Sequence, residues 1–272
     1  MSMAGAVLVN GVPGDTVSVR DRGLQYGDGL FETVRCEQGS VRWFARHLHR
    51  LDQGCERLGI KKPDGNLLRA EAQRLSAGMP RAIVKIIVTR GEAVARGYAP
   101  RGDELPTRIV SVYSWPTPGH TEFRVGLSPV QLGCNPRLAG CKHLNRLEQV
   151  LAQLGATSAG LQEVLMRSSA GDVVCGSTSN LFALHEAQWL TPAVTQCGVA
   201  GIMRSLVLDN ARQLGLQVKI AALSPEMLSA ASSMFVTNVR LGVQAVHCYE
   251  GRRLKVDECG ARLQELIDGT LD

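Results

Sequence analysis

Apolar residues recur along the chain at two spacings, one typical of helices and the other typical of strands. Apolar residues that return every three or four positions form one face of a helix, and they predict four helices: 45–59, 66–77, 143–155 and 201–215. The apolar stripe of the third helix would consist of four leucines: Leu144, Leu147, Leu151 and Leu154. The fourth begins and ends at a glycine, which is a common way for a helix to stop.

Aliphatic and β-branched runs predict strands between these helices. The longer runs are RAIVKIIVTRG, TRIVSVYSW, FRVGLSPVQL and SSMFVTNV, and the shorter ones cover 162–167, 172–175 and 181–184. The segment AVLVNG ends in Asn10 and Gly11, a pair that favours the tight turn of a β-hairpin. Helices and strands together predict an α+β fold.

One segment interrupts this pattern. SWPTPGH, residues 114–120, holds two prolines and a glycine, and these residues break regular elements. We therefore expect a linker at 115–120. It would join a smaller N-terminal domain, residues 1–114, to a larger C-terminal domain, residues 121–272.

Composition and charge narrow the class of protein. The chain has 272 residues, of which 44% are hydrophobic and 20% charged, as in ordinary globular proteins. Its net charge of +5 is spread along the chain, and only 4% of its residues are aromatic, which argues against nucleic-acid binding. The chain begins with no secretory signal pattern and has no apolar run of membrane-spanning length. We expect a cytoplasmic protein that contacts no membrane.

The eight cysteines contain no CxxC pair. In a chain of this size without a signal peptide, such spacing favours free thiols over disulfides. It also lacks the ligand spacing of a zinc site, so we expect no metal.

The stretch GDVVCGSTSNLF, residues 171–182, is the first candidate for a site. A short apolar strand ends at Cys175, and Ser177, Thr178 and Ser179 follow it. Hydroxyl groups packed this closely form either a plain turn or the lining of a polar pocket.

Three further residues become informative together. Lys142 follows small residues, and partial burial turns a lysine amine into a nucleophile suited to Schiff-base chemistry. Gly201 opens a helix whose free amides can bind phosphate, and Arg50 can add a charged hydrogen bond. Each has an ordinary structural explanation when taken alone. Combined with the hydroxyl-rich stretch, they indicate pyridoxal 5′-phosphate, an aldehyde cofactor that carries a phosphate.

The chain resembles the fold type IV pyridoxal-phosphate enzymes, which include D-amino-acid and branched-chain aminotransferases and 4-amino-4-deoxychorismate lyase. The resemblance runs from DRGLQYGDGLFET to FVTNVRLGVQAV. The segments LSPVQLGCNPRLAGCKHLNRLEQVL and RGEAVARGY are most similar to the lyase branch. The resemblance implies a two-domain homodimer that binds its cofactor between the domains.

The resemblance also implies a role for each matching position. Lys142 would form the Schiff base, and Arg50 would bind the cofactor phosphate. The other implied cofactor contacts are Cys175, Ser179, Asn180, Gly201, Ile202, Met203 and Asn238. The implied substrate contacts are Phe31, Arg96 and Tyr98.

Cys175 departs from the family pattern, which has a glutamate there that pairs with the cofactor's ring nitrogen. The spacing leaves little room for Glu163 or Asp172 to take that role. One hypothesis is that Cys175 favours elimination over amino transfer, because aromatisation of the product drives elimination without a protonated ring. The alternative is that the cysteine only packs.

The implied reaction is the cleavage of 4-amino-4-deoxychorismate to pyruvate and 4-aminobenzoate, a folate precursor. The alternatives are a D-amino-acid or branched-chain aminotransferase, and a non-catalytic homologue that binds a phosphorylated ligand.

Overall fold

The computed structural model describes residues 5–93, 96–115 and 122–270, and their packing divides the chain into two compact units. Within these residues, the first unit takes everything up to 115 together with Cys141–Asn145, and the second takes the rest. Residues 116–120 of the expected linker lie outside the described residues. The expected domain boundaries therefore stay a prediction.

The first unit is built on a six-stranded antiparallel sheet with the order β2-β1-β6-β5-β3-β4. Its elements are β1 (Val7–Val9), β2 (Val12–Pro13), α1 (Arg22–Tyr26), β3 (Gly29–Glu37), β4 (Ser40–Val41), α2 (Phe44–Leu58), α3 (Gly65–Ser76), β5 (Arg81–Thr89) and β6 (Arg108–Ser114). The predicted hairpin is confirmed: Asn10 and Gly11, at φ 52° and 85°, join β1 to β2. Two successive positive φ values are what a tight hairpin turn requires.

Helix α2 follows the predicted 45–59 helix closely. Its apolar face buries Leu51 and Cys55 in one cluster with Leu30 and Val34 of β3. Removing such side chains from water is the main stabilising term in a fold. The helix ends at Gly59, whose φ of 64° suits glycine. This packing fixes the polar residues of α2 against β3.

The second unit holds two five-stranded sheets, ordered β12-β11-β10-β13-β14 and β16-β15-β7-β8-β9. Its elements are β7 (Arg124–Leu132), α4 (Leu147–Ser158), β8 (Glu163–Ser168), β9 (Val173–Gly176), β10 (Asn180–His185), β11 (Gln188–Thr191), α5 (Ile202–Ala211), β12 (Val218–Ile220), α6 (Pro225–Ala230), β13 (Ser233–Asn238), β14 (Gly242–Ala245), β15 (Cys248–Tyr249), β16 (Arg252–Arg253) and α7 (Cys259–Asp268). The hydroxyl-rich turn 177–179 carries the chain from β9 in one sheet to β10 in the other.

The prediction of a helix from residue 143 is wrong, because α4 begins at Leu147. The segment around Lys142 is extended and pairs with the start of β3. The Phe31 amide donates to the Lys142 carbonyl at 2.9 Å, and the Leu144 amide donates to the Gly29 carbonyl at 2.9 Å. These bonds explain why Cys141–Asn145 packs with the first unit.

The leucines of α4 form an apolar face that is largely exposed on this chain. Leu147 and Leu154 are 72% and 62% exposed, whereas α4 buries Ala152 and Ala156. The other three predicted helices are confirmed as α2, α3 and α5, and the α+β fold is confirmed. In the part of the chain that the structure describes, no helix has both the length and the apolar character needed to cross a membrane.

Candidate active site

Lys142 lies beside an aromatic ring of the first unit. Its Nζ is 4.4 Å from the centre of the Phe31 ring, and the Lys85 Nζ is 5.3 Å from the same centre. A cation over an aromatic face is attracted by the negative charge of that face. The backbone pairing with β3 and this ring contact together fix the direction of the Lys142 side chain.

Arg50 is held by a buried carboxylate on β3. Its Nε and Nη2 donate to the two oxygens of Glu32 at 2.8 and 2.5 Å, and the His47 Nδ1 lies 2.7 Å from Glu32 Oε2. The side chains of Glu32 and His47 are 2% and 1% exposed. Because His47 and Arg50 are one helical turn apart on α2, both reach the same strand residue.

The charges of this cluster explain its ionisation. Burial alone would raise the pKa of Glu32, but the Arg50 guanidinium and the His47 hydrogen bond lower it to about 2. Burial lowers the pKa of His47, and the positive charges of Arg50 and Lys142 act in the same direction against the pull of Glu32. We infer a neutral His47 that donates from Nδ1 to an ionised Glu32. The His47 Nε2 is buried and has no hydrogen-bond partner within the described residues.

The predicted substrate contacts Arg96 and Tyr98 lie on an exposed loop of the first unit. This loop is tied down by Arg22, which is 4% exposed and donates to the carbonyls of Gly97 and Tyr98 at 3.1 and 2.6 Å. The Nε of Arg22 also donates to Asp28 at 2.8 Å.

Asp28 is bound by a second arginine. Arg90 reaches both of its oxygens, at 2.7 and 3.1 Å. Burial would raise the pKa of Asp28, but the two arginines lower it. The loop that carries the predicted substrate residues is therefore anchored to a charged cluster in the body of its unit.

In the second unit, the hydroxyl-rich turn wraps around the carboxylate of Glu163, which is fully buried. Thr178 Oγ1 and Ser179 Oγ donate to Glu163 Oε2 at 2.7 and 2.9 Å, and Ser177 Oγ donates to Oε1. The backbone amides of Ser177 and Thr178 donate to the same carboxylate at 3.0 and 3.1 Å. The polar groups of this turn thus point inward to an acid.

The turn continues into the start of α5. Asn180 Nδ2 donates to the Val199 carbonyl at 3.0 Å, and a Cβ at Gly201 would lie 2.0 Å from Asn180 Oδ1. Glycine is therefore required at the N-cap of α5, directly before Ile202 and Met203. Asn238 Nδ2 donates to the Thr178 carbonyl at 3.2 Å.

Cys175 is 6% exposed and packs in an apolar cluster with Val164 and Met166. Burial raises the pKa of its thiol to about 12, and the negative charge of Glu163 adds to this effect. At neutral pH the side chain is an uncharged thiol. It cannot supply the negative charge that the family pattern implies at this position.

The structure groups the predicted site residues by unit. Phe31, Arg50 and Lys142 share the first unit with the loop of Arg96 and Tyr98. The second unit holds the other predicted cofactor contacts: Cys175, Ser179, Asn180, Gly201, Ile202, Met203 and Asn238.

Four residues that position these side chains are not among the predicted site residues: Arg22, Glu32, His47 and Glu163. The three-residue spacing of His47 and Arg50 would have signalled a shared helix face. No local pattern marks Glu163 as the partner of a turn that begins 14 residues later.

The model of the family Amino-transferase class IV matches residues 29–249. An aminodeoxychorismate lyase of Vibrio harveyi is 31% identical over 97% of this chain and 98% of its own length. A putative branched-chain-amino-acid aminotransferase of Methanocaldococcus jannaschii is 30% identical over 92% of this chain and 88% of its own. The crystal structure of 4-amino-4-deoxychorismate lyase from Pseudomonas aeruginosa superposes with a TM-score of 0.90, at 39% identity, over 98% of this chain and 99% of that one.

The chain therefore belongs to the class IV amino-transferase family, the fold type IV enzymes that depend on pyridoxal 5′-phosphate. Its residues fit that cofactor. The first unit offers an amine at Lys142 and a guanidinium at Arg50, and the second offers the amides that open α5 beside Gly201. Position 175 differs from the family pattern, because it holds a cysteine and not a glutamate.

Proposed function

We propose that this enzyme is a 4-amino-4-deoxychorismate lyase that releases pyruvate and forms 4-aminobenzoate, a folate precursor. The observation that carries this proposal is the 31% and 39% identity, over nearly the full length, to two proteins named as this lyase. The extended segment that presents Lys142 lies within the stretch whose sequence is most similar to the lyase branch.

Bound pyridoxal 5′-phosphate supplies an electrophilic carbon for an amine and a ring that withdraws electrons. Lys142 would hold the cofactor through its Nζ amine and would accept the proton from the substrate C4 as general base. Its Nζ is aimed by the Phe31 ring and by pairing with β3. In the first unit we assign phosphate binding to Arg50, which Glu32 orients. In the second unit we assign it to the amides that open α5. Arg96 and Tyr98 contact the carboxylates of the substrate.

The uncharged thiol of Cys175 supports elimination over amino transfer. A protonated cofactor ring is the strongest electron acceptor, and reversible amino transfer depends on it most. Formation of an aromatic product provides its own driving force, so the lyase reaction tolerates a neutral ring. With the pKa of its thiol raised to about 12, Cys175 would offer no negative charge to the ring nitrogen of a bound cofactor.

Amino transfer is the second candidate, because the relative from Methanocaldococcus jannaschii, named as an aminotransferase, is 30% identical over most of both chains. The two activities are separated by their products. The lyase forms 4-aminobenzoate and pyruvate from 4-amino-4-deoxychorismate, whereas an aminotransferase forms glutamate from 2-oxoglutarate and an amino donor. Lys142→Ala, reconstituted with the same cofactor, controls for background breakdown of the substrate.

A homodimer is part of this proposal. Helix α4 exposes an apolar face on this chain: Leu147, Val150, Leu151 and Leu154 are between 49% and 72% exposed. Apolar patches of this kind on a single chain are typical of subunit interfaces. Sedimentation equilibrium should give twice the chain mass. In Leu151→Glu it should give the mass of one chain.

A further inference from the structure

We propose that Glu163 is a positioning residue of the cofactor site. It holds the turn 177–179 and, through this turn, the start of α5. This inference rests on the proposed function, since it concerns how the second unit presents its phosphate-binding amides. We assign Glu163 no direct contact with cofactor or substrate. It acts through the turn.

The contacts of the carboxylate converge from one stretch of chain. Three successive hydroxyl groups and two backbone amides, all within 177–179, donate to its two oxygens. Val164 adds its amide at 3.0 Å, and Gln153 Nε2 lies 3.4 Å from Oε1. The two oxygens of a carboxyl group have enough acceptor sites to receive several donors at once. The turn is therefore fixed in one conformation.

Because Glu163 is buried, losing these hydrogen bonds would strongly destabilise the folded chain. Glu163 is 0% exposed, and a buried carboxylate without donors is strongly unfavourable. The turn cannot move away from Glu163 unless water or another donor replaces it. A Cβ at Gly176 would lie 2.9 Å from Glu163 Oε2 and closer still to Ser179 Oγ, so the backbone of β9 closes over the carboxylate.

The effect passes to the predicted cofactor residues. Ser179 leads directly into Asn180, which donates to the Val199 carbonyl at 3.0 Å and packs tightly against Gly201. Asn238 holds the same turn from β13 through the Thr178 carbonyl. The position of the first amides of α5 therefore depends on the turn that Glu163 organises.

The same geometry assigns the hydroxyl hydrogens. Each of the three hydroxyls uses its hydrogen toward Glu163 and can present only lone pairs elsewhere. A phosphate needs donors, so the donors in this unit are the α5 amides and not these side chains. Ser179 then contributes to cofactor binding through its position in the turn.

Glu163→Gln tests this proposal, because the amide keeps the size of the side chain but donates where the carboxylate accepts. Glu71→Gln is the matched control: Glu71 is 7% exposed and receives Arg108 Nε at 2.9 Å, far from the turn in sequence and in the other unit. Two readouts are needed. The first is amide hydrogen exchange without cofactor, and the second is the Kd for pyridoxal 5′-phosphate from an absorbance titration.

We expect faster exchange at 176–180 and 199–203 and a Kd at least about tenfold higher in Glu163→Gln, which corresponds to 1.4 kcal/mol. Glu71→Gln should change neither, although it lowers the unfolding temperature. Thr178→Val removes one donor to Glu163 and keeps the shape of the side chain. It replaces Glu163→Gln if that variant does not fold, and it should show smaller changes in the same direction. Unchanged exchange at 199–203 and an unchanged Kd in a folded variant would overturn the proposal.

The outcome also separates this inference from the proposed function. If the unmodified chain binds no pyridoxal 5′-phosphate, the cofactor assignment fails. Faster amide exchange at 199–203 in Glu163→Gln, but not in Glu71→Gln, would still establish that Glu163 positions the start of α5.

Discussion

Arg50 donates from Nε and Nη2 to both oxygens of Glu32, at 2.8 and 2.5 Å, and so a buried residue on β3 sets the direction of the arginine that we assign to the cofactor phosphate. A paired arginine is confined to one orientation in the free protein. Such preorganisation reduces the entropy lost on binding.

Glu32→Gln should therefore weaken cofactor binding. An amide can accept from Arg50 at only one atom, so the paired contact is lost. We expect the Kd for pyridoxal 5′-phosphate to rise about tenfold, the scale of one hydrogen bond to a charged group. Glu37→Gln is the control, because Glu37 also lies on β3 and also binds an arginine, Arg35, at 3.0 Å. Equal Kd values for the two variants would contradict the role of Glu32.

The same cluster predicts a pH dependence of stability. The pKa of Glu32 is about 2 in the folded chain, against an ordinary value of 4.5, so the unfolded state binds its proton first as pH falls. The stabilisation from ionised Glu32 is complete above about pH 4.5 and is lost as the pH falls toward 2. Urea titrations between pH 5 and 2 should show a steeper loss in the unmodified chain than in Glu32→Gln. If both proteins lose stability equally as the pH falls, Glu32 is not the source of the pH dependence.

Arg22 predicts a separate effect on substrate. It holds the carbonyls of Gly97 and Tyr98, and Arg22→Lys would lose the fork that reaches both. We expect KM for 4-amino-4-deoxychorismate to rise about tenfold, the scale of one lost charged hydrogen bond, with kcat nearly unchanged. Arg101→Lys serves as the control, because Arg101 is exposed and its Nε lies 3.9 Å from Asp103 Oδ1. A fall in kcat alone would assign Arg22 to another step.

Cys175→Glu tests the proposed bias toward elimination. A carboxylate there would be buried beside the negative charge of Glu163, so the variant should unfold more easily without cofactor. Added pyridoxal 5′-phosphate should restore more stability than it adds to Cys175→Ser. Amino transfer to 2-oxoglutarate should also rise relative to lyase turnover. If the ratio of the two activities stays the same, Cys175 only packs.

Local features were predictable from the sequence, and features set by distant contacts were not. The Asn10-Gly11 turn and the helix predicted over 45–59 depend on residues close together in the sequence, and the structure confirms both. The extended course of Lys142 is imposed by β3, more than 100 residues earlier, which overrides the local helical pattern. The apolar stripe of α4 was recognised as apolar, but periodicity does not distinguish burial within a chain from exposure on its surface.

The candidate site divides in the same way. Lys142, Arg50 and Gly201 are predicted from the sequence because an amine, a guanidinium and the start of a helix have the chemistry that this cofactor needs, and their roles stay predictions. Glu32 and Glu163, which hold Arg50 and the 177–179 turn, were not recognised, because a buried acid is identified only by the donors that surround it. These donors come from another element in each case.

Product analysis of the purified, cofactor-loaded enzyme decides between lyase and aminotransferase. The products formed from 4-amino-4-deoxychorismate are compared with those formed from 2-oxoglutarate and an amino donor. A lyase should form equal amounts of 4-aminobenzoate and pyruvate, little glutamate, and no 4-aminobenzoate above background in Lys142→Ala. Glutamate formation without 4-aminobenzoate would contradict the proposed lyase activity and assign the enzyme to amino transfer.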